Sequence, residues 1–546
     1  MKRKNSTLTI VFWVALAIAT VFILWGTFLP ENVETVLGFI DGFLASNFGW
    51  FYMLVMTGFV LFAIFMVISP FGRIRLGKPD ERPEYSYFTW FAFLFTAGMG
   101  VGLVFFGVTE PLTSYYAPAS EEPGTIAASE EALQHSVFHW GIHPWAVYSV
   151  VGLALAYFKF RHQAPLLMSS ALTPLLGDRA KGGLGHGVDI LAVFGTVFGI
   201  ATSLGLGATQ ITAGLSFSFE GMENNIITQL LVILIITAVF VTSAITGVNR
   251  GIRFLSRMNI VIAVGLMAFV FVVFGAPVQM VDSFMTTTGN YLQNLPSMTF
   301  NMNAFTGERE FLNDWTLFYW AWWIGWSAFV GTFIARVSRG RTIREFVIGV
   351  ISVPLVFSLI WFAVLGVAGI EMDNALGGAL YDLVEAEGDE VALFAFLENL
   401  PLDIIVIGIA VLLIASFFVT SADAATFVLG ILTTGGKLNP SVNIKIIWGA
   451  ILSGTAAVLL FSGGLEALEM AMLIAAFPFA FVVILLGISL VKALSREYDI
   501  LRLEYKQQEF DPGYQEESQR ALEEKREEFE QTLPDEEIEV EGEEKQ

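Results

Sequence analysis

The chain has 546 residues, of which 55% are hydrophobic, 14% aromatic and only 15% charged, with mean hydropathy +0.66. A charged fraction well below the ~25% of soluble proteins, with several apolar runs of bilayer length, excludes a water-soluble globular domain. Cys is 0, which excludes disulfides, thiolate catalysis and Cys-ligated metals, and a net charge of −22 argues against nucleic acid as a partner.

Hydropathy predicts about twelve spans, at roughly 10–29, 49–69, 87–108, 138–158, 188–216, 227–247, 259–277, 315–334, 347–370, 403–432, 443–462 and 468–492. The first run is long enough to stay as a span, and no A-x-A cleavage pattern follows it. With the N-terminus inside, 21 of the 29 Lys and Arg fall in the N-terminal segment and the inner loops, 7 in the tail from Arg496, and Arg309 alone outside. This one-sidedness predicts cytoplasmic termini and a multi-pass protein of the cell membrane.

The third span reads FTAGMGVGLVFFGVTEP, with Gly98, Gly100 and Gly102 alternating. Three glycines in five residues each weaken a helix by ~1 kcal/mol, which in a bilayer is tolerated where freed backbone is buried or lines a cavity. A broken helix offers a dipole end to an anion and loose carbonyls to a cation. A glycine packing seam is the alternative reading.

The fourth span, HWGIHPWAVY, puts Trp140, Trp145 and Tyr148 within an arc of about 140° on one face. Pro144 denies a hydrogen bond to the carbonyl of Trp140, so distortion is expected there. His135, His139 and His143 repeat at helical spacing. No carboxylate or Cys in the segment completes a metal set, so interfacial or packing roles are preferred.

The eighth span, WTLFYWAWWIGWSAFVGTF, concentrates Trp315, Trp320, Trp322, Trp323 and Trp326. Tryptophan normally gathers at bilayer interfaces; Trp322, Trp323 and Trp326 instead share an arc of about 100° at span depth. Stacked indole faces hold a cation that cannot hydrogen-bond, such as a quaternary ammonium. Helix packing with an interfacial belt is the other explanation. Paired with a broken helix for a carboxylate, the aromatic faces describe a zwitterion with a permanent cation.

The tenth span contains FFVTSADAATFVLG. Asp423 is an ionisable group at membrane depth, and Thr420 and Ser421 bring hydroxyls near the broken third span if the two meet. Hydroxyl and carbonyl oxygens without a carboxylate cage suit a monovalent cation, sodium above all; hydroxyls bonded back to their own helix are the alternative. Beyond the last span, Arg496 to Gln546 holds 19 acidic and 7 basic residues. This tail reads as a solvated, helix-compatible and partly disordered arm, or else a regulatory one.

Together, GMGVGLVFFGVTEP, FHWGIHPWAVY, WTLFYWAWWIGWSAFVGTFIARVSRGRTIREF and TSADAATFVLG resemble the betaine/carnitine/choline transporter family, over about Trp13 to Lys492. The resemblance implies an all-α polytopic membrane protein of the LeuT type, with two extra leading helices (1–86) and inverted five-helix repeats at 87–277 and 315–492. An external connecting segment (278–314) lies between the repeats and an acidic cytoplasmic tail (493–546) follows. It also implies a homotrimer without a cofactor, coupled to sodium and importing an osmoprotective solute. By motif, Trp140, Trp145, Tyr148 and Trp323 resemble the family's ammonium box, and Trp322 and Trp326 its route to the cytoplasm. Gly98, Met99, Gly100 and Gly102 resemble the unwound substrate-contacting stretch. One sodium site would use Thr96, Met99, Phe417, Thr420 and Ser421, and a second Thr196 and Phe329. Ile200 stands where sodium-coupled members often carry a second threonine, and Gly325, Ala328 and Ala424 also depart from the pattern. Choline-selective relatives resemble this pattern with an Asp at the place of Gly102. Gly102 therefore favours glycine betaine, which brings its own anion, over choline. A sodium-independent carnitine-type exchanger and choline uptake are the alternatives, and no constellation suggests an enzyme.

Overall fold

A computed structural model describes residues 8–219, 221–246, 249–304, 309–509 and 515–534, with only the backbone described at residues 95–97, 244, 246, 249–254, 256, 505–509 and 515–521. Lys2, Arg3, Lys4, the side chains of Thr96, Arg250 and Arg253, and the end of the acidic tail therefore lie outside the described residues. What is described is helical: α1 (Ile10–Phe28), α2 (Pro30–Ile68), α3 (Tyr87–Gly98), α4 (Val101–Tyr116), α5 (Ile126–Trp140), α6 (Ile142–Ala156), the short α7 (Met168–Ala171) and α8 (Thr173–Leu176), and α9 (Gly183–Ser218). Then come α10 (Ile226–Thr246), α11 (Asn249–Val273), α12 (Pro277–Phe300), α13 (Phe318–Val337), α14 (Ile343–Ala375), α15 (Ala379–Glu387), α16 (Ala392–Glu398), α17 (Asp403–Thr433), α18 (Val442–Glu509) and α19 (Gln515–Glu530).

Among the described residues, 9 helices or near-continuous helical runs are long and apolar enough to cross a membrane. The number rises to 10 if Arg257–Val273 and Pro277–Phe300, bent by 117°, are one span. Two of the helices start on side-chain caps. Thr342 caps α14 in a reciprocal box with Glu345, and Thr125 Oγ1 accepts from Ala128 N at the start of α5. Helix α2 begins at Pro30, well before the expected start at 49, because Pro at its first position and Glu31 in its first turn suit a helix N-terminus.

The basic loops meet on one face. Arg75 Nη1 donates to Gly340 O at 2.9 Å, Arg344 Nε to Val67 O at 2.8 Å, Arg341 Nη2 to Tyr85 O at 2.7 Å and Arg161 Nη1 to Gly77 O at 2.8 Å. The segment after α2, the turn between α13 and α14, and the end of α6 are thereby tied together. Gly340 makes that turn at φ +79°, where a side chain would be strained and would strike Arg82 O. On the same face Arg161 pairs with Glu497 of α18, which also accepts from Tyr157 Oη at 2.7 Å.

The tail, read from sequence as partly disordered, turns back on itself in its described part. Helix α19 lies along the end of α18, with Lys525–Asp499 at 3.6 Å, Arg496–Glu528 at 3.7 Å and an Arg526–Glu504 pair. Leu522 and Phe529 are buried, and Phe529 meets the ring of His162 edge-on at 5.5 Å.

Candidate functional site

The third span breaks where its glycines predict. Helix α3 stops at Gly98 and α4 starts at Val101. Gly100 precedes α4 with φ −126° and ψ −148° and supplies no side-chain cap. The first-turn N–H groups of α4 thus present the positive end of the helix dipole without a side-chain partner.

Each glycine faces a different indole. A Cβ on Gly98 would fall 2.2 Å from Trp145 Cη2, and one on Gly102 would fall 2.4 Å from Trp322 Cη2 and 2.9 Å from Trp140 Cη2. One on Gly100 would meet Trp326 Cη2 at 3.6 Å and Ser421 Oγ at 3.7 Å, which are ordinary contacts. The break is therefore walled by four tryptophans from α5, α6 and α13.

The rings touch one another in series. Trp140 meets Trp323 edge-on at 4.8 Å, Trp323 meets Tyr148 at 6.4 Å, and Tyr148 meets Trp145 at 5.4 Å. Trp322 stacks on Trp323 at 4.9 Å and 10°, and Trp326 lies 5.9 Å from Trp322. None of the six is more than 3% exposed, so the aromatic set faces inward rather than into lipid. Trp315 is only half-buried, on the π-helical turn that leads into α13.

The hydrogen bonds sort these rings. Trp140 Nε1 donates to Glu110 Oε2 at 3.1 Å, Trp323 Nε1 to His139 O at 2.8 Å and Trp326 Nε1 to Gly199 O at 2.8 Å. Tyr148 Oη and Trp322 Nε1 are buried with no partner among the described residues. A buried donor left unsatisfied costs about 1–3 kcal/mol, so both call for an acceptor. The expected distortion at Trp140 takes the form of a break at Gly141, between α5 and α6, and the Trp140 carbonyl accepts from Ser358 Oγ at 3.2 Å.

Sequence reasoning missed Glu110. It is 0% exposed, on α4, and its Oε1 lies 2.6 Å from His139 Nδ1 while Oε2 accepts from Tyr319 Oη at 2.6 Å. The rule applied to Asp423, that an ionised group at membrane depth needs a reason, applies equally to the GVTEP carboxylate and would have found it. His139 and His143 are buried rather than interfacial; His143 bonds Thr299 Oγ1 at 3.2 Å and stacks on Trp320 at 4.9 Å. The described residues contain no group of three or more metal-ligating side chains. A cavity of about 600 Å³ opens beyond this layer, lined by Glu130, Gln134, His135, Phe138, Asn294 and Thr316 among others.

The expected ion ligands assemble in part. Ser421 on α17 faces Gly100, Met99 is buried in the break, and Thr420 beside Ser421 and Phe417 one turn before it are buried. Thr420 Oγ1 lies 3.0 Å from both Ser416 O and Phe417 O and 3.4 Å from Asn259 Nδ2. With its proton given to the backbone and one lone pair facing Asn259, this hydroxyl keeps one lone pair for a cation. For the second set, Thr196 Oγ1 bonds back to Ala192 O at 2.9 Å, and Phe329 packs on Trp326 at 5.8 Å. They lie on α9 and α13, which touch at Gly199 and Trp326. Ile200 is fully buried, and Asp423 Oδ1 has no partner among the described residues. Gly325 leaves room for Met472, whose Cε would sit 2.0 Å from any Cβ there.

Comparison with known proteins places this geometry in context. Residues 10–499 match the model of the betaine/carnitine/choline family transporters. The chain is 48% identical over 489 residues to the glycine betaine transporter OpuD of Bacillus subtilis (strain 168), covering 89% of this chain and 94% of that protein. It is 43% identical to a probable glycine betaine transporter of Desulfitobacterium hafniense (strain Y51), covering 91% and 99%. An ectoine/hydroxyectoine transporter of Virgibacillus pantothenticus is 39% identical, covering 90% and 98%.

Proposed function

The chain belongs to the betaine/carnitine/choline transporter family and is a multi-pass membrane transporter, not an enzyme; from that premise we propose that it imports glycine betaine by sodium symport. The observation that carries this reading is the contact between the aromatic rings and the broken helix. Trp140, Trp145, Tyr148 and Trp323 supply π-faces for a trimethylammonium, each worth up to about 2 kcal/mol when desolvated. The capless start of α4 lies beside them at Gly102, and the Tyr148 hydroxyl and Trp322 N–H have no acceptor of their own. A carboxylate held a short methylene away from the ammonium meets these donors. Choline carries no such group, which is why glycine betaine is preferred.

Sodium would bind where Ser421 faces the break, with Thr420 beside it on α17 and Met99 and Thr96 contributing backbone oxygens, holding α3 and α4 against α17. The second site at Thr196 and Phe329 would complete the coupling. Differential binding of solute and ion to outward and inward states then drives accumulation. The architecture in this reading has twelve spans. Helix α18, at 68 residues with non-helical Gly463 and Gly464, is too long for one crossing and counts as two. The broken pair α3 and α4 forms the third span and α11 the seventh. Inverted repeats then occupy 87–277 and 315–492, both termini are cytoplasmic, and the protein assembles as a homotrimer in the cell membrane for osmoprotection.

The test is uptake of radiolabelled glycine betaine into proteoliposomes, with and without an inward sodium gradient, at low and high osmolality. Saturable uptake that collapses without sodium and is outcompeted weakly by choline supports the proposal. Uptake that ignores sodium but requires internal counter-substrate selects an exchanger. Stronger competition by ectoine or choline than by unlabelled glycine betaine reassigns the substrate.

A further inference from the structure

The transport reading leaves one buried charge without a task. Glu110 collects three donors on its two oxygens: His139 Nδ1 at 2.6 Å, Tyr319 Oη at 2.6 Å and Trp140 Nε1 at 3.1 Å. A carboxylate only accepts, so His139 donates from Nδ1, and its Nε2 meets Thr316 Oγ1 at 3.0 Å. The same histidine's carbonyl holds Trp323 Nε1 at 2.8 Å. The Glu110 carboxylate thus holds Trp140 and the His139 backbone carbonyl holds Trp323, the two indoles of the edge-on pair, while the His139 ring joins Glu110 to Thr316 at the cavity beyond.

Packing does not require a charge for this. Trp326 and Trp361 satisfy their N–H groups with the carbonyls of Gly199 and Leu103, at 2.8 and 3.0 Å. A buried carboxylate is expensive, and replacing it with a neutral acceptor would spare that cost. Two things follow only from the charge. An ionised Glu110 sets a negative charge at the edge of Trp140, 3.1 Å from its Nε1, and Coulomb attraction is weakly screened at that depth. A charge-assisted bond from the indole N–H also pushes electron density into the ring, deepening the negative face that a cation reads.

We propose that Glu110 is a positioning and specificity-determining residue of the transport site, acting through Trp140 and Tyr319 to make the cage select a permanently cationic head group. This rests on the reading of the cage as an ammonium site. It also resolves a difficulty in that reading, since Gly102 leaves the inner surface of the cage without an acidic side chain. The negative charge sits at the outer edge of the aromatic wall, bonded to Trp140 Nε1 and Tyr319 Oη, where it attracts the cation without forming an ion pair that would slow release.

The experiment separates charge from shape. Wild type, Glu110→Gln and Glu110→Asp are purified, reconstituted and compared for glycine betaine uptake. Inhibition by 3,3-dimethylbutanoate, the carbon isostere of glycine betaine that lacks the positive charge, is measured alongside. The amide oxygen of Glu110→Gln still accepts from Trp140 and Tyr319, and its NH2 meets His139 Nδ1, which accepts once the ring takes its other tautomer; the expected result is a KM for glycine betaine raised about tenfold, with the inhibition constant of the isostere changed by less than about threefold. Glu110→Asp keeps the charge and should keep the preference for the cation over the isostere. Equal weakening of both ligands, or an unchanged KM, overturns the proposal. So does a Gln variant that fails to assemble, whether or not the Asp variant succeeds, because the charge then serves the fold. Wild-type protein that takes up no glycine betaine refutes the underlying function instead, and the two failures are told apart by that control.

Discussion

The three glycines of the broken span are equivalent in sequence and unequal in the fold, which makes a sharp experiment. Gly98→Ala would put a methyl 2.2 Å from Trp145 Cη2, 2.8 Å from Cζ2 and 3.0 Å from Cζ3. Carbon atoms settle near 3.6 Å, so the edge of that indole must retreat by about 1.4 Å. It has little space to do so, because Tyr148 stands edge-on to it at 5.4 Å and the whole ring is buried. Overpacking of this kind costs about 1–3 kcal/mol, which read as binding is a KM increase of about 5- to 150-fold. Gly102→Ala meets Trp322 at 2.4 Å and Trp140 at 2.9 Å and belongs in the same range. Gly100→Ala finds its nearest neighbours at 3.6 and 3.7 Å and should change KM by less than about threefold. The assay is initial-rate uptake at matched membrane abundance, with tryptophan-fluorescence titration of the purified variants. If Gly100→Ala proves as damaging as Gly98→Ala, or Gly98→Ala is silent, the placement of the break against the rings is wrong.

Trp323→Leu should raise KM for glycine betaine by about 30-fold, one desolvated cation–π contact, while the protein still reaches the membrane; an unchanged KM would remove Trp323 from the site. Asp389, between α15 and α16, has its pKa pushed up to about 6 by burial first and by the charges of Glu390 and Glu385 after it. A carboxyl whose folded pKa is raised is destabilising once ionised, so its share of stability is lost between about pH 4 and pH 6. Asp389→Asn should therefore raise the unfolding temperature at pH 7.5 and leave it unchanged near pH 4, and a gain of equal size at both values would refute the assignment. Phe529→Ala should loosen α19 from His162, read as faster amide exchange across 515–534. Raising salt alone should have a smaller effect, since the ion pairs along α19 are largely exposed and each contributes only about 0–1 kcal/mol.

What could be read in the chain follows from how the bilayer constrains it. A fixed hydrocarbon thickness and the cost of unpaired backbone set the lengths of apolar runs, so the spans could be seen without any partner. Helical periodicity likewise placed Trp322, Trp323 and Trp326 on one face. Periodicity names a face but not what opposes it, and apart from the early start of α2 at Pro30 the missed features are opposing faces. Glu110 sits at the end of an apolar run and looks like an ordinary boundary residue until His139 and Tyr319 arrive from two other helices. Pro144 predicted trouble at the Trp140 carbonyl, yet the chain yields at Gly141, where φ −98° and ψ −122° cost least, and Ser358 from α14 takes the carbonyl. The docking of α19 was hidden for the same reason. Its composition is that of a solvated helix, and only the pairing of Lys525 and Arg526 with acids on α18, and of Phe529 with a histidine from α6's end, gives it a place. The aromatic cluster was legible because indole chemistry is unusual at span depth on any single helix. Glu110 could have been flagged as an ionisable group there, but its partners His139 and Tyr319 come from two other helices and are seen only in the contact.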